Sequence, residues 1–380
     1  MNEEIDIAII GAGASGLMLG SLLEGKRAVI FEGNSKPGAK ILVSGGGKCN
    51  ITNEWVEPMH YLGNPYFVTE VLKVFDQHDL LEWLSERGLE PVLRKNRQYF
   101  CANSASELLD IFKKESKEQT FFLQEKVLDV SKKGDWFYLQ TAKKRYKVKK
   151  VVIASGGLSF SLLGADNIGY RVAESVGHTI VRTAPALVGF TVQKEQFFFK
   201  SLSGISTEVE IRVGDQTCTG ALLFAHKGIS GPAVLDASLY WEKGKIEIDF
   251  LSGWYPEEHQ ESKKLVSSLL PMPKRVSKAF LDHLEVPDHP MNQLKVIEKE
   301  KLLGLKQYAF APAGTFGYSK AEVTKGGVDT DEIDSKTMMS KKCEGLYFVG
   351  EVVDVTGRLG GYNFQWAFSS AAVCAKALQG

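Results

Sequence analysis

Apolar and polar positions follow two different rhythms along this chain. From residue 5 to about residue 185, and again from about residue 345, unbroken apolar runs alternate with segments of helical spacing. Between them, short runs alternate apolar with polar residues and are separated by Gly, Ser and Asp. The first rhythm predicts strands covered on both faces, with helices between them. The second predicts antiparallel sheet or barrel.

In the first region the apolar run Ile7–Ile10 predicts a buried strand, followed by a helix over Leu17–Leu23 and a second strand over Ala28–Phe31. Amphipathic helices are predicted over Phe67–Glu86 and Ser104–Glu115, with a short strand pair between them over Glu90–Phe100. Three strands follow over Thr120–Val130, Trp136–Thr141 and Arg145–Ile153. In the middle region strands are predicted over Leu187–Val192, Thr207–Val213, Gln216–Phe224 and Lys245–Leu251. Helices are predicted there over Glu257–Leu270, Lys274–Leu284 and Met291–Leu303. The end of the chain returns to the first rhythm, with a buried strand at Gly345–Glu351 and a helix from Tyr362 to about Leu378.

The reading is α/β: a doubly wound domain drawn from both ends of the chain, carrying an inserted small barrel that is itself interrupted by helices. The expected boundaries are 1–185 with 336–380 for the first, 186–252 with 304–335 for the barrel and 253–303 for the helical domain.

The first strand runs into Gly11-Ala12-Gly13-Ala14-Ser15-Gly16. In a strand–turn–helix unit Gly11 permits the tight turn, Gly13 lets backbone approach a pyrophosphate, and Gly16 lets helix and strand pack closely. Phosphates then rest on free N–H groups at a helix N-terminus, where the dipole favours negative charge. The second strand ends in Glu32, placed to accept hydrogen bonds from ribose hydroxyls. Next comes Lys40-Ile41-Leu42-Val43-Ser44-Gly45-Gly46-Gly47-Lys48-Cys49-Asn50. Successive glycines allow backbone to wrap a flat polar ring, since no side chain intrudes. Lys40 and Lys48 are placed to meet phosphate or a ring carbonyl. The main chain at Val127 is a candidate partner for an adenine edge. A third apolar strand ends in the small residues Ala154, Ser155 and Gly156, which suit the binding crevice at strand carboxyl ends.

A single NAD site needs only the first of these signatures, but the chain carries a second near its other end. There a strand ends in Gly350-Glu351, followed by Gly360, Gly361, Tyr362 and Asn363 at a helix start. A cofactor as long as FAD needs both. The helix beginning near Gly361 then points its positive end at the flavin edge that gains negative charge on reduction.

Composition adds limits. The 380 residues hold 46 basic and 46 acidic side chains, so formal net charge is zero. On that ground neither nucleic acid nor an anionic membrane is an expected partner. The basic run Lys143–Lys150 reads as the solvated face of a strand. No apolar run approaches the ~20 residues of a membrane helix, and the acidic N-terminus does not fit a signal peptide. The five cysteines are far apart, with no metal-like spacing and no CxxC. A cytoplasmic protein with free thiols, no metal and a small-molecule substrate is expected, and its oligomeric state is left open.

The chain resembles the BaiN-like, or YhiN-like, family of FAD-dependent oxidoreductases, which includes aminoacetone oxidase. The resemblance spans nearly the whole length and rests on GAGASG, KILVSGGGKCNITN, VVIASGG, LFAHKGISGPAVL, VTKGGV and GLYFVGEVVDVTGRLGGYNFQWAFSSA. It implies a fold with an FAD-binding Rossmann-like domain of the glutathione-reductase type, an inserted β-barrel and a small helical domain, and FAD contacts at Gly11, Gly13, Ser15, Gly16, Glu32, Lys40, Ser44, Gly45, Gly46, Val127, Gly350, Glu351, Gly361, Tyr362 and Asn363. The residues themselves add Ala14, Gly47, Lys48, Cys49, Asn50, Ala154, Ser155, Gly156 and Gly360 to these cofactor-binding candidates. Two positions depart from relatives: Leu359 stands where a small residue usually precedes GGYN, and Ala165-Asp166-Asn167-Ile168-Gly169 replaces a GDG-like turn.

The candidate catalytic residues are His226, as proton donor or substrate-orienting group, and Lys325, placed to orient a substrate anion or to lie by the flavin. No second GxGxxG exists, so NAD(P)H, if used, visits transiently. The expected activity is hydride transfer between flavin and a small organic substrate, with NAD(P)H-dependent reduction of an activated C=C bond first. Oxidation of a small amine by O₂ is the alternative, and an FAD-bound, RNA-associated flavoprotein is the alternative of another class.

Overall fold

The structure is a computed structural model, and it describes residues 4–380. The chain divides into two compact units, 1–185 with 323–380 and 186–322.

The first unit is built on a seven-stranded sheet. Its path runs Thr120–Leu123, Ala28–Glu32, Glu4–Ile10, Arg145–Ile153, Trp136–Thr141 and Val127–Lys133, with Leu346–Phe348 added alongside Arg145–Ile153. The strand Arg145–Ile153 serves two partners on one edge. Its first residues pair antiparallel with the second strand of a meander (Arg145 with Gln140, Val148 with Phe137). Its last three pair parallel with the C-terminal strand (Val151 with Leu346, Ile153 with Phe348). Its other edge pairs parallel with the first strand from Lys147 to Ile153. Ala8, Ile9, Val151 and Val152 have no exposed surface, as expected of strands covered on both faces. The helices Ala14–Leu22 and Tyr362–Gln379 lie against each other, bringing the two ends of the chain together.

The second unit is a seven-stranded antiparallel sheet in the order Tyr308–Phe310, Ile246–Asp249, Ser206–Val213, Gln216–Ala225, Gly228–Ser230, Phe190–Thr191, Gly314–Thr315. Its core includes Phe199, Phe224, Phe250 and Phe280.

Several expectations shift for identifiable reasons. The stretch 323–335, expected with the barrel, packs in the first unit: Val323–Val328 pairs with Ile180–Ala186, and the Asp354 N–H donates to the Val328 carbonyl. The segment 253–303, expected as a separate domain, shares the core of the second unit, where the Phe280 ring lies 4.7 Å from that of Phe250. The helix expected over Glu257–Leu270 is reduced to the short turns Pro256–His259 and Val266–Ser268. Its backbone donors go sideways: Val266 donates to His289, while Asp288 accepts from both the Ser267 N–H and its hydroxyl. The helix expected over Phe67–Glu86 is two, Pro65–Leu72 and Gln77–Ser85, because Asp76 and Asp79 form a reciprocal cap that starts the second. The strand expected over Thr120–Val130 breaks at Gln124, which is left-handed at φ 52°.

Among the described residues no helix is long and apolar enough to cross a membrane. No cluster of three or more His, Cys, Asp or Glu side chains there could hold a metal ion. None of the five cysteines forms a disulfide, and all five are buried.

Candidate cofactor crevice

The glycine turn is fixed by contacts that leave no room for side chains at two positions and ample room at a third. A Cβ on Gly11 would lie 2.4 Å from the Ala154 carbonyl oxygen, and one on Gly16 only 1.9 Å from that of Gly11. A Cβ on Gly13 would meet nothing within 4 Å. The first two glycines hold the turn against its neighbours, and the third opens onto the crevice. Glu32 braces the turn as well: its Oε2 accepts from the Ala12 N–H at 3.0 Å and its Oε1 from the Asn34 N–H at 2.8 Å. Each carboxylate oxygen keeps acceptor capacity for a ribose hydroxyl.

The second signature meets the first directly. A Cβ on Gly350 would fall 2.6 Å from the Ser15 hydroxyl. The Gly350 N–H donates to the Ser370 hydroxyl, and the Trp366 indole donates to the Gly350 carbonyl at 3.1 Å, which ties the strand end to the C-terminal helix. Glu351 accepts from Lys40 Nζ at 2.7 Å and from the Thr324 N–H at 2.8 Å. Lys40 and Glu351, both cofactor candidates, are thus partners of one another. Thr324 was not foreseen. Its hydroxyl accepts from the Leu158 and Ser159 N–H groups and so shapes the loop after Gly156. Its signal in the sequence is only its place beside Lys325.

The loop Ser44–Gly47 is a tight turn with positive φ at Gly45, Gly46 and Gly47. A Cβ on Gly46 would meet nothing, and neither would one on Gly156. The following strand, Asn50–Asn53, lies against the start of the C-terminal helix. The Asn53 amide donates to the Gly360 carbonyl, and the Thr52 hydroxyl donates to Gln365. Asn363 closes the opposite side by accepting from the Gly357 N–H and donating to the Gly357 carbonyl. Asn50 donates to Gln98, yet its Oδ1 is buried with no partner. That orphaned acceptor lies 2.8 Å from where a Cβ on Gly361 would sit.

Three open glycine positions and one unpaired acceptor, all on the crevice elements, fit an extended dinucleotide. Gly11, Gly13, Ala14, Ser15, Gly16 and Glu32 would hold its adenosine and pyrophosphate half. The loop from Ser44 to Asn50 and the Gly360–Asn363 helix start would hold the ring half.

Other candidates fall out differently. Burial pushes the Cys49 thiol up to about 12, and its side chain has no exposed surface, so only its backbone can face a ligand. Val127 is buried at the start of its strand, paired with Thr141. Lys48 is half-buried. Lys325 is 8 % exposed in a strand that is buried throughout. His226 is exposed at the two-residue tip between the strands Gln216–Ala225 and Gly228–Ser230 of the second unit.

A further acid stands out by its chemistry. Burial, with the negative charge of Asp329 adding to it, raises the Asp354 carboxyl to about 6. The native state therefore holds this proton more tightly than the unfolded chain does. Stability is lost as pH rises from the unfolded value near 4 through about 6, and the deficit then stays constant. Asp354→Asn is expected to raise the apo protein's stability at pH 7.5 by about 1–2 kcal/mol, discounted for partial exposure. The gain should vanish at pH 4, and thermal melts at the two pH values check it.

Comparison with known proteins agrees with this geometry. The family described as HI0933-like protein Rossmann domain matches residues 5–377. A ribosomal RNA dihydrouridine synthase of Escherichia coli K12 is 39% identical, over 99% of this chain and 98% of that protein. A 3-dehydro-bile acid delta(4,6)-reductase of Clostridium scindens is 32% identical over 98% of each. Among solved structures, the 3-ketosteroid delta1-dehydrogenase of Sterolibacterium denitrificans superposes with a TM-score of 0.53 at 11% identity, over 99% of both chains, a likeness of fold.

One expectation is overturned. Net charge predicts no nucleic-acid partner, yet a relative aligned along almost the whole chain is named for action on ribosomal RNA. Net charge sums over the entire molecule, whereas an RNA meets one face of it. The chain belongs to the HI0933-like Rossmann family and is an FAD-dependent oxidoreductase.

Proposed function

We propose that this protein reduces the C5=C6 double bond of a uridine in ribosomal RNA, drawing electrons from NAD(P)H through bound FAD. The observation that carries the reading is the 39% identity, end to end, with a ribosomal RNA dihydrouridine synthase. The bile acid reductase supports the bond type, since its name also describes reduction of C=C bonds. In uridine this bond is conjugated to the C4 carbonyl. Hydride adds at C6, charge develops on the carbonyl side, and a proton is delivered to C5, so the bond is saturated by two electrons and two protons. FAD, once bound and reduced by NAD(P)H, would supply the hydride.

The chain's own contribution is binding, orientation and protonation. The helix start at Gly361–Asn363 offers N–H groups and positive dipole to the ring half of the cofactor. Lys325, in the same unit as the crevice elements, orients the developing negative charge. With no second dinucleotide turn in the sequence, the nicotinamide donor binds only transiently.

The test is anaerobic. The protein is reduced with NADPH and mixed with in vitro transcribed ribosomal RNA or with a small enone. Return of the yellow flavin band on adding RNA, with a nucleoside gaining the mass of two hydrogens, is the expected result. Oxidation by the enone alone, with RNA unchanged, rejects the RNA reading and favours a small-molecule reductase like the bile acid relative.

A further inference from the structure

The meander of the first unit concentrates charge that the whole-chain sum conceals. Residues 126–150 hold nine lysines and arginines against two aspartates. Strand register places four of the nine on one face. Lys133 stands opposite Trp136, Lys147 opposite Tyr138, and Arg145 is two residues before Lys147. Alternation puts Lys133, Trp136, Tyr138, Arg145, Lys147 and Lys149 on the same side. The other side carries Val130, Phe137, Leu139, Tyr146 and Val148, all buried in the core.

The exposed side is an array of cations on rings. Lys147 Nζ lies 3.9 Å and Lys149 Nζ 5.7 Å from the Trp136 ring centre, and the Arg145 guanidinium lies 4.6 Å from that of Tyr138. A ring holds a cation in place without cancelling its charge. Among the described residues, Glu4 pairs with Lys147 and Asp6 with Lys149.

We infer that this face of the meander is a docking surface for the ribosomal RNA substrate, binding nucleotides away from the target uridine. The inference rests on the reading of the protein as an RNA reductase. Charge complementarity and interleaved aromatic rings are what a flexible RNA strand needs: phosphates meet the cations, and bases stack on rings. Distance favours RNA as well. Arg145 begins the strand whose far end, Ile153, leads into the crevice, roughly 25 Å away along an extended chain. A small enone has no use for a surface so remote, but a polynucleotide reaches both places. The basic run first read as a solvated strand face thus becomes part of the substrate site.

The test compares the FAD-loaded wild type with K133A/R145A/K147A and, separately, with W136A. Each is assayed for ribosomal RNA binding across a salt series, for RNA reduction, and for NADPH-dependent reduction of a small enone. The triple variant is expected to keep its FAD and enone reduction, to bind RNA at least tenfold more weakly, and to show a salt dependence shallower by about two in log–log slope. W136A should weaken RNA binding with little change in slope. Unchanged RNA binding and reduction in the triple variant overturn the docking face while leaving the RNA reductase reading intact. A wild type that neither binds nor reduces RNA overturns both. Equal affinity of wild type for phosphatidylglycerol vesicles, lost in the triple variant, assigns the face to an anionic membrane and overturns the proposal.

Discussion

Gly13→Ala is expected to leave apo stability within about 1 kcal/mol of wild type and to lower FAD affinity at least a hundredfold. Gly16→Ala is expected to destabilise the first unit itself by about 3 kcal/mol or more. The contrast comes from where each new methyl group lands. At residue 13 it enters open space, and the backbone there is extended (φ −83°, ψ −163°), a conformation alanine adopts freely. At residue 16 it falls 1.9 Å from a backbone oxygen, so the helix Ala14–Leu22 must move off the strand Glu4–Ile10. Only a ligand passing over Gly13 makes the first substitution harmful. Thermal melts without cofactor, set beside FAD titration by fluorescence quenching, read the two effects separately. Normal FAD binding by Gly13→Ala would contradict the placement of the pyrophosphate over this turn.

Much of this arrangement is legible in the sequence because the chemistry is local. A strand, a tight turn and a helix lie within about twenty residues, and Gly11, Gly16 and Glu32 meet neighbours that are local or on an adjacent strand. The meeting of the two termini could also be read, since two half-sites for one long cofactor must converge. What escaped was set by distant partners. Thr324 shapes the loop at Leu158 and Ser159 from more than 160 positions away. Asp354 owes its raised pKa to burial and to Asp329, neither of which spacing reveals. The region 257–270 has helical spacing, but its donors are claimed by residues 288 and 289, so tertiary pairing overrides local pattern.

The error on nucleic acid has a different origin. Net charge was treated as a property of the surface an RNA meets, but zero is the sum of a basic meander and an acidic remainder. Alternation was visible in Arg145-Tyr146-Lys147-Val148-Lys149, and so were Trp136 and Tyr138. What the sequence lacked was the register that pairs Tyr138 with Lys147 and stacks the cations over the rings. A run of lysines on one strand is ordinary. The same lysines aligned with aromatic residues of the next strand form a surface.

Gly361→Ala is expected to be the most damaging single change at the C-terminal half of the crevice. Residue 361 precedes the helix Tyr362–Gln379 with φ 94° and ψ −9°, a left-handed conformation that costs an alanine about 1–2 kcal/mol. Its Cβ would also lie 2.5 Å from the carbonyl carbon and oxygen of Thr52. The clash is with backbone, so no rotamer relieves it. Either the strand Asn50–Asn53 or the helix start must shift, and Thr52–Gln365 and Asn53–Gly360 are the hydrogen bonds that break. Together these costs reach about 3–4 kcal/mol. A fall of roughly ten degrees in the apo melting temperature is expected. Even material that folds should retain FAD poorly, because the displaced helix start no longer offers its N–H groups to the ring half of the cofactor. Asn363→Ala separates the two effects. It removes the clasp on Gly357 without adding bulk, so it should cost less stability while still loosening the cofactor. If Gly361→Ala melted like wild type and kept its yellow colour through gel filtration, the crevice would not be closed by this helix start.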